Sequence, residues 1–157
     1  MNVQKMLVAV DYSPCSKNAV EYALFLASKF GARVDLIHAW DRPYYAREHE
    51  IVLGKDSGNP KTLTQVLEET ALEEMKAFMN TIQVPDGVQV HHRVCSGHVA
   101  TVVLEILGKD GYDLLVTGTH GRTGFKHMLL GSIAERLVRL SPVPVITVPP
   151  ADAEKQA

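Results

Sequence analysis

The residues best suited to bind an anion are concentrated in one segment, which reads GTHGRTGFKHMLLGS. Gly118 and Gly121 come at its start, and Gly131 with Ser132 comes at its end. Glycines let a backbone approach a ligand closely and form turns whose consecutive amides bind anions. A helix beginning at Gly131 would add free N–H groups and a dipole that favours phosphate. The segment therefore indicates a phosphate site between its two glycine pairs.

Two cations and two familiar motifs bear on this hypothesis. Arg122 and Lys126 lie between the glycine pairs, where they could offset phosphate charge. The segment has no G-K-[ST] ending of a Walker A loop, and its first glycines are spaced G-x-x-G-x-x-G rather than G-x-G-x-x-G. From the residues alone, a phosphate site and a flexible strand-to-helix connection both remain open.

Short apolar runs alternate with helical periods along the chain. Strands are predicted at residues 5–11, 33–40, 88–94, 113–117 and 143–148. Helices are predicted between Ser13 as N-cap and Gly31 as left-handed C-cap, at 61–82, from Gly97 to a stop at Gly108, and at 131–140. The first helix should bury a stripe made of Ala19, Ala23, Leu26, Ala27 and Phe30. Residues 41–60 have no sustained period and are predicted to be a long loop.

Alternating strands and helices favour parallel pairing through right-handed crossovers, with helices on both faces of an open sheet. In such sheets a ligand binds beyond the carboxyl ends of the strands, where the strand order reverses. Asp11, Ala39 and Thr117 end predicted strands on that edge, and the glycine segment follows the last of them. The phosphate hypothesis and the fold therefore indicate the same place.

Length and composition fit one ordinary globular domain. The chain has 157 residues, 46% of them hydrophobic and 22% charged, with a formal net charge of −2. That charge argues against a nucleic-acid partner, and no run approaches the roughly 20 apolar residues of a membrane-spanning helix. The N-terminal sequence lacks a signal-peptide pattern, and the two cysteines have neither redox nor zinc spacing. We therefore expect a cytoplasmic protein.

The chain resembles the universal stress protein family. The glycine segment matches the family signature G-2x-G-9x-G-[S/T], after a strand ending in LLVTGTHG. The segments MLVAVDYS, VDLIHAW, VCSGHVATVVLEI and SPVPVITV follow in the family's order. We predict an α/β, Rossmann-like open sandwich over residues 1–150, with a five-stranded, mostly parallel sheet in the order 3-2-1-4-5 and helices on both faces. A polar tail follows at residues 151–157.

The resemblance implies a nucleotide site, since the full signature is typical of the ATP-binding branch of the family. It implies that Gly118, Gly121, Gly131 and Ser132 hold the phosphates and that Asp11 approaches the ribose or the triphosphate. The adenine edge would meet the backbone at Ala39. The predicted nucleotide-binding residues are Ala9, Val10, Asp11, Ala39, Thr117, Gly118, Gly121, Arg122, Gly131, Ser132 and Ile133, with Ala9, Val10 and Ile133 lining the base pocket.

The resemblance also implies a partner and a cofactor. Family members commonly form homodimers by antiparallel pairing of the last strand, which here begins at Val143 and ends at Val148. The expected ligand is ATP, with or without Mg²⁺, and ADP or AMP are alternatives. No metal site within the protein is predicted, because His91 and His92 point to opposite faces of a strand.

Three function hypotheses follow. The first is an ATP-binding regulatory or stress-response module that acts as a homodimer. The second is a slow ATPase or phosphotransferase that uses the same pocket, with Asp11 and His120 as its candidate residues. The third is a nucleotide-independent partner module in which the glycine segment is only structural. The sequence favours binding over turnover because no second acidic residue accompanies Asp11, and we therefore predict no catalytic residue. Buried His38 and loop residue His120 are expected to make structural hydrogen bonds.

Overall fold

A computed structural model describes residues 2–41, 51–52, 60–121 and 130–151. Its strands are β1 (Lys5–Ala9), β2 (Arg33–Trp40), β3 (Ile51–Val52), β4 (Lys61–Thr62), β5 (Val90–Ser96), β6 (Leu114–Gly118) and β7 (Val145–Val148). Its helices are α1 (Pro14–Phe30), α2 (Leu63–Met79), α3 (Val99–Lys109) and α4 (Ser132–Leu140). Arg122 and Lys126, which the sequence placed near the phosphates, lie outside the described residues.

The main sheet has five strands in the order β5-β2-β1-β6-β7, and every pair in it is parallel. Without the separate β3–β4 pair, this is the predicted order 3-2-1-4-5. β1 lies at the centre, where the carboxylate of Asp113 accepts hydrogen bonds from the backbone N–H groups of Gln4 and Lys5 at 2.8 and 2.9 Å. The centre of the sheet is therefore closed by contacts between residues far apart in the chain.

Two hydrophobic layers cover the sheet, one on each face. Met6 and Val8 of β1 face the layer formed with α1 and α2, whereas Leu7 and Ala9 face the layer formed with α3 and α4. The four side chains are at most 9% exposed. Alternate residues of a strand point to opposite faces, so a strand covered on both sides must be apolar throughout. This explains the continuous apolar run that predicted β1.

The ends of α1 form as the sequence predicts. The Ser13 side chain accepts a hydrogen bond from the N–H of Ser16 at 3.1 Å, and Pro14 occupies the first helical position. Gly31 ends the helix in the left-handed conformation at φ 67°. The predicted stripe was wrong at Phe30, which is 52% exposed, because the helix turns Val20 and Leu24 into the core instead.

Three other predicted boundaries need correction. Gly108 lies inside α3 rather than stopping it, and the left-handed residue after the helix is Gly111 at φ 64°. The predicted second helix at 61–82 begins later, because Lys61 and Thr62 pair with the short strand β3 before Thr62 caps α2. The interval 41–60 therefore contains a two-residue strand where the sequence suggested only loop.

At the opposite end of the sheet from the strand carboxyl ends, charged groups neutralise one another. The Tyr112 hydroxyl donates to Asp35 at 2.8 Å, and Arg33 lies 3.0 Å from the same carboxylate. Burial, together with that hydrogen bond, raises the pKa of Tyr112 above its ordinary value. Arg93 pairs with Asp110 at 2.8 Å. These groups lie at an end of the sheet remote from the predicted site.

None of the helices in the described part of the chain is both long and apolar enough to cross a membrane.

Candidate functional site

A cavity of about 290 Å³ opens beyond the carboxyl ends of β1 and β6, against the beginning of α4. The strand order reverses at β1, so the cavity lies where ligands bind in open α/β sheets. Its lining residues are Ala9, Val10, Asp11, Ser16, Val99, Thr117, Gly118, Thr119, His120, Gly121, Gly131, Ser132, Ile133 and Ala134. Every predicted site residue except Ala39 and Arg122 is therefore brought to one cavity.

Asp11 supplies the carboxylate of the cavity. One of its oxygens, Oδ1, accepts a hydrogen bond from the N–H of Ser13 at 3.1 Å. The other, Oδ2, faces Gly121 so closely that a Cβ added to that glycine would lie 2.9 Å from it. The glycine at this position therefore gives the carboxylate room, a steric reason that the spacing of the motif did not reveal.

Gly118 lines the cavity and also lies against the beginning of α1. A Cβ at this position would lie 2.8 Å from Cys15 Sγ and 3.3 Å from the Cys15 carbonyl carbon. Real Cβ atoms essentially never approach another heavy atom so closely. The absence of a side chain at Gly118 thus lets β6 pack against α1, in addition to any contact that the backbone makes with a ligand.

The second glycine pair opens α4. Gly131 donates its N–H to the carbonyl of Thr119 at 2.7 Å, and Thr119 donates to the carbonyl of Val148 at 2.9 Å. No side chain among the described residues caps the helix. The first N–H groups of a helix have no partner within it, so those of Ser132 and Ile133 are available to a ligand at the cavity wall. Backbone donors and the helix dipole together make this wall suitable for an anion.

Two predicted residues are not part of the cavity as described. Ala39 is 5% exposed and lies in β2 beside Cys95, and it is not among the residues that line the cavity. It shares a sheet face with Ile37 because the two residues are two positions apart in the strand. Arg122 belongs to the predicted site but lies outside the described residues.

The cavity also includes side chains that the sequence did not single out as ligand contacts. Ser16 enters from the first turn of α1 and Val99 from the first turn of α3. Thr119 and His120 follow β6, and His120 Nδ1 lies 2.8 Å from the Thr119 hydroxyl. Their common signal is position, since each follows the carboxyl end of a strand on the edge where ligands bind.

The buried histidine of β2 makes the structural contact expected of it. His38 is 8% exposed, and its Nδ1 lies 2.9 Å from the carbonyl of Val10. His91 and His92 are both exposed. Across the described ranges, no three or more His, Cys, Asp or Glu side chains are grouped so that they could hold a metal ion.

The model of the universal stress protein family matches residues 2–149. The chain belongs to the universal stress protein family. Universal stress protein MJ0531 of Methanocaldococcus jannaschii is 30% identical to it over 146 residues, covering 92% of this chain and 81% of that protein. Universal stress protein A homolog 1 of Coxiella burnetii is 29% identical over 150 residues, covering 94% and 97%.

Solved structures of universal stress proteins share the fold. The structure of MJ0577 of Methanocaldococcus jannaschii superimposes with a TM-score of 0.73 at 21% identity, covering 95% of this chain and 97% of that chain. A universal stress protein in complex with cAMP superimposes with a TM-score of 0.60 at 23% identity, covering 96% and 100%.

Proposed function

We propose that this universal stress protein is a cytoplasmic regulatory module that binds ATP in the cavity and hydrolyses it very slowly or not at all. One observation carries the proposal: the first N–H groups of α4, which have no partner within the helix, lie with Ser132 and Asp11 at one cavity where the strand order reverses. Amide donors at a helix start suit phosphate, and a carboxylate suits the hydroxyl groups of a ribose.

The lining contains both polar groups and apolar side chains. In this proposal Gly121, Gly131 and Ser132 serve the phosphates, whereas Ala9 and Ile133 offer apolar surface for the base. The universal stress protein solved with cAMP shows that an adenine nucleotide binds a protein of this fold, which supports the same ligand class here. ADP and AMP share the base and ribose, so they compete for the cavity in this proposal.

Turnover has less support than binding. Asp11 is the only carboxylate among the described residues that line the cavity. Magnesium in nucleotide sites is commonly held by one or two carboxylates together with substrate phosphates, so Asp11 and a bound triphosphate could hold Mg²⁺. Phosphoryl transfer also needs a group that orients the attacking water and groups that stabilise the transition-state charge. The observed lining therefore favours a protein that holds ATP.

The first test is titration calorimetry with ATP and Mg²⁺, after bound nucleotide has been removed, on the wild type and on Gly121→Ala. We expect saturable binding by the wild type and about tenfold weaker binding by the variant, because the new Cβ displaces the Asp11 carboxylate. Gly108→Ala is the matched control, since a Cβ there has no atom within 4 Å. It should leave the affinity unchanged.

Each other outcome has a definite meaning for this proposal. A wild type that gives no saturable heat contradicts nucleotide binding and supports the partner-module alternative. Phosphate release that is faster in the wild type than in Gly121→Ala would instead support the slow ATPase. Mass spectrometry of small molecules that co-purify with the native protein would show which adenine nucleotide it carries.

We also propose that the protein forms a homodimer through β7, one edge of the main sheet. The opposite edge, β5, exposes His91, His92 and Arg93, the kind of polar surface that prevents a sheet edge from pairing. β7 instead carries Val145 and Ile146, both half-buried. A second copy of β7 could pair with this edge through the backbone groups that do not face β6.

A variant of β7 tests the dimer. The carbonyls of Pro144 and Val148 accept hydrogen bonds from residues of and next to β6. The backbone groups of successive strand residues point alternately to the two sides of the strand, so the N–H of Thr147 points away from β6. Thr147→Pro removes that outward donor, whereas Thr147→Ala keeps it. By light scattering after size exclusion, we expect a monomer for the proline variant and a dimer for the wild type and the alanine control. A wild-type monomer, or a dimer unaffected by proline, would refute this interface.

A further inference from the structure

Tyr12 has an unusual backbone for its residue type. Its φ is 65°, and no other non-glycine residue in the described ranges has a positive φ. A bulky L residue avoids this left-handed region because its Cβ crowds the backbone. Such a conformation persists only where surrounding contacts enforce it, and such residues are concentrated at functional sites.

The Tyr12 side chain makes contacts that enforce this backbone. Its ring stacks on His38 with the ring centroids 4.2 Å apart, and it meets Phe78 of α2 at 5.5 Å. Its hydroxyl donates to the carbonyl of Ala71, also in α2, at 3.2 Å. His38 is itself tied to the Val10 carbonyl at 2.9 Å. The ring is therefore fixed between the end of the sheet and α2.

The preceding residue, Asp11, lies at the cavity rather than against α2. Asp11 lines the cavity, with Oδ1 bonded to the N–H of Ser13 and Oδ2 against Gly121. Tyr12 lies between Asp11 and Ser13 in the chain, so its left-handed turn sets the backbone path that joins the carboxylate to the N–H group of its hydrogen bond. The turn therefore directs neighbouring side chains to α2 and to the cavity.

We propose that Tyr12 is a positioning residue that couples the seating of α2 to the placement of the Asp11 carboxylate. The inference rests on the proposed nucleotide site and extends it, because ligand affinity then depends on a helix that contributes no residue to the cavity lining. Coupling is reciprocal, so bound nucleotide should in turn hold α2 more firmly against the sheet.

The experiment removes the ring while keeping the turn possible. Tyr12→Gly adopts the left-handed backbone without strain but has no side chain to hold it there, and Tyr12→Asn is a second variant that tolerates the same conformation. Tyr12→Phe keeps the ring and serves as the conservative rescue. Each is titrated with ATP and Mg²⁺ in the wild-type background and in Asp11→Asn.

We expect Tyr12→Gly and Tyr12→Asn to bind ATP about tenfold more weakly than the wild type, and Tyr12→Phe to restore most of the affinity. In the Asp11→Asn background the ring-deleting changes should have no further effect, since their consequence acts through the carboxylate. Equal losses in both backgrounds, or unchanged affinity in folded Tyr12→Gly and Tyr12→Asn, would overturn the proposal.

A ligand-free measurement separates this inference from the proposed function. The N–H of Ser13 donates to Asp11, so its hydrogen exchange reports the position of the carboxylate without nucleotide. We expect protection in the wild type and Tyr12→Phe and faster exchange in Tyr12→Gly and Tyr12→Asn. A wild type that fails to bind ATP contradicts the nucleotide site alone, whereas unchanged Ser13 exchange in the ring-deleting variants contradicts the positioning role.

Discussion

Leu137→Ala is expected to lower the free energy of unfolding by about 2–5 kcal/mol and to abolish the proposed ATP binding. Leu137 is completely buried in the layer formed by α3, α4 and the sheet. α4 has nine residues and buries only Ala134 and Leu137 fully. Helices this short are unstable alone in water, so α4 depends on packing to keep its first turn at the cavity.

Urea unfolding followed by circular dichroism, together with ATP titration of the folded variant, measures both effects. Leu72→Ala is the matched control because it makes the same chemical change in α2, at a side chain that is 40% exposed. That variant should lose well under half as much stability and keep its affinity. Wild-type affinity in folded Leu137→Ala would show that the first turn of α4 does not hold the ligand.

Gly118→Ala is the second large effect, with an expected loss of about 1–3 kcal/mol of unfolding free energy. The added methyl group would lie 2.8 Å from Cys15 Sγ, and the Cys15 carbonyl carbon and the His120 carbonyl oxygen would each be at 3.3 Å. Backbone atoms cannot move aside as a flexible side chain can. The clash should therefore push β6 from α1 and disturb the cavity that opens at the end of β6.

The partner variant Cys15→Ala tests whether this contact causes the loss. It removes the sulfur but leaves the two backbone contacts, so in combination with Gly118→Ala it should recover about 1 kcal/mol but not full stability. Urea midpoints of the wild type, both single variants and the double variant complete the cycle. Strictly additive losses would mean that Cys15 does not meet the new methyl group.

Much of the fold could be predicted from hydrophobic periodicity and from the residues that cap or end helices. The sequence itself shows the apolar run that forms β1 and the Ser13 cap and Pro14 that begin α1. The alternation of strands with helices can be seen there in the same way. Gly108 shows the limit of that approach, because a glycine is equally readable as a helix stop or as an open interior position. Phe30 shows another, since small shifts in helix rotation decide which neighbouring side chain is buried.

The sequence predicts most of the residues that meet at the cavity, but it does not predict the contacts that each of them makes there. The spacing of Gly118, Gly121 and Gly131 identified the segment. A Cβ at each of these glycines, however, would meet a different residue: Cys15, Asp11 and Thr119, respectively. Those neighbours come from distant parts of the chain, and no local pattern specifies them. Tyr12 was missed for the same reason, because its contacts with His38 and α2 arise only in the folded sheet.

The position of β1 between β2 and β6 has a consequence for synthesis of the chain. The hydrogen bond from Lys5 to Asp113 joins residues 108 positions apart, and Asn18 of α1 donates to the Pro149 carbonyl, 131 positions away. A growing polypeptide exposes β1 and α1 long before these partners leave the ribosome. Contacts of such sequence separation form slowly. The cavity lining extends from Ala9 to Ala134, so the proposed nucleotide would stabilise the chain only after α4 has been translated. Until then the nascent β1 edge is the segment that most needs protection from aggregation.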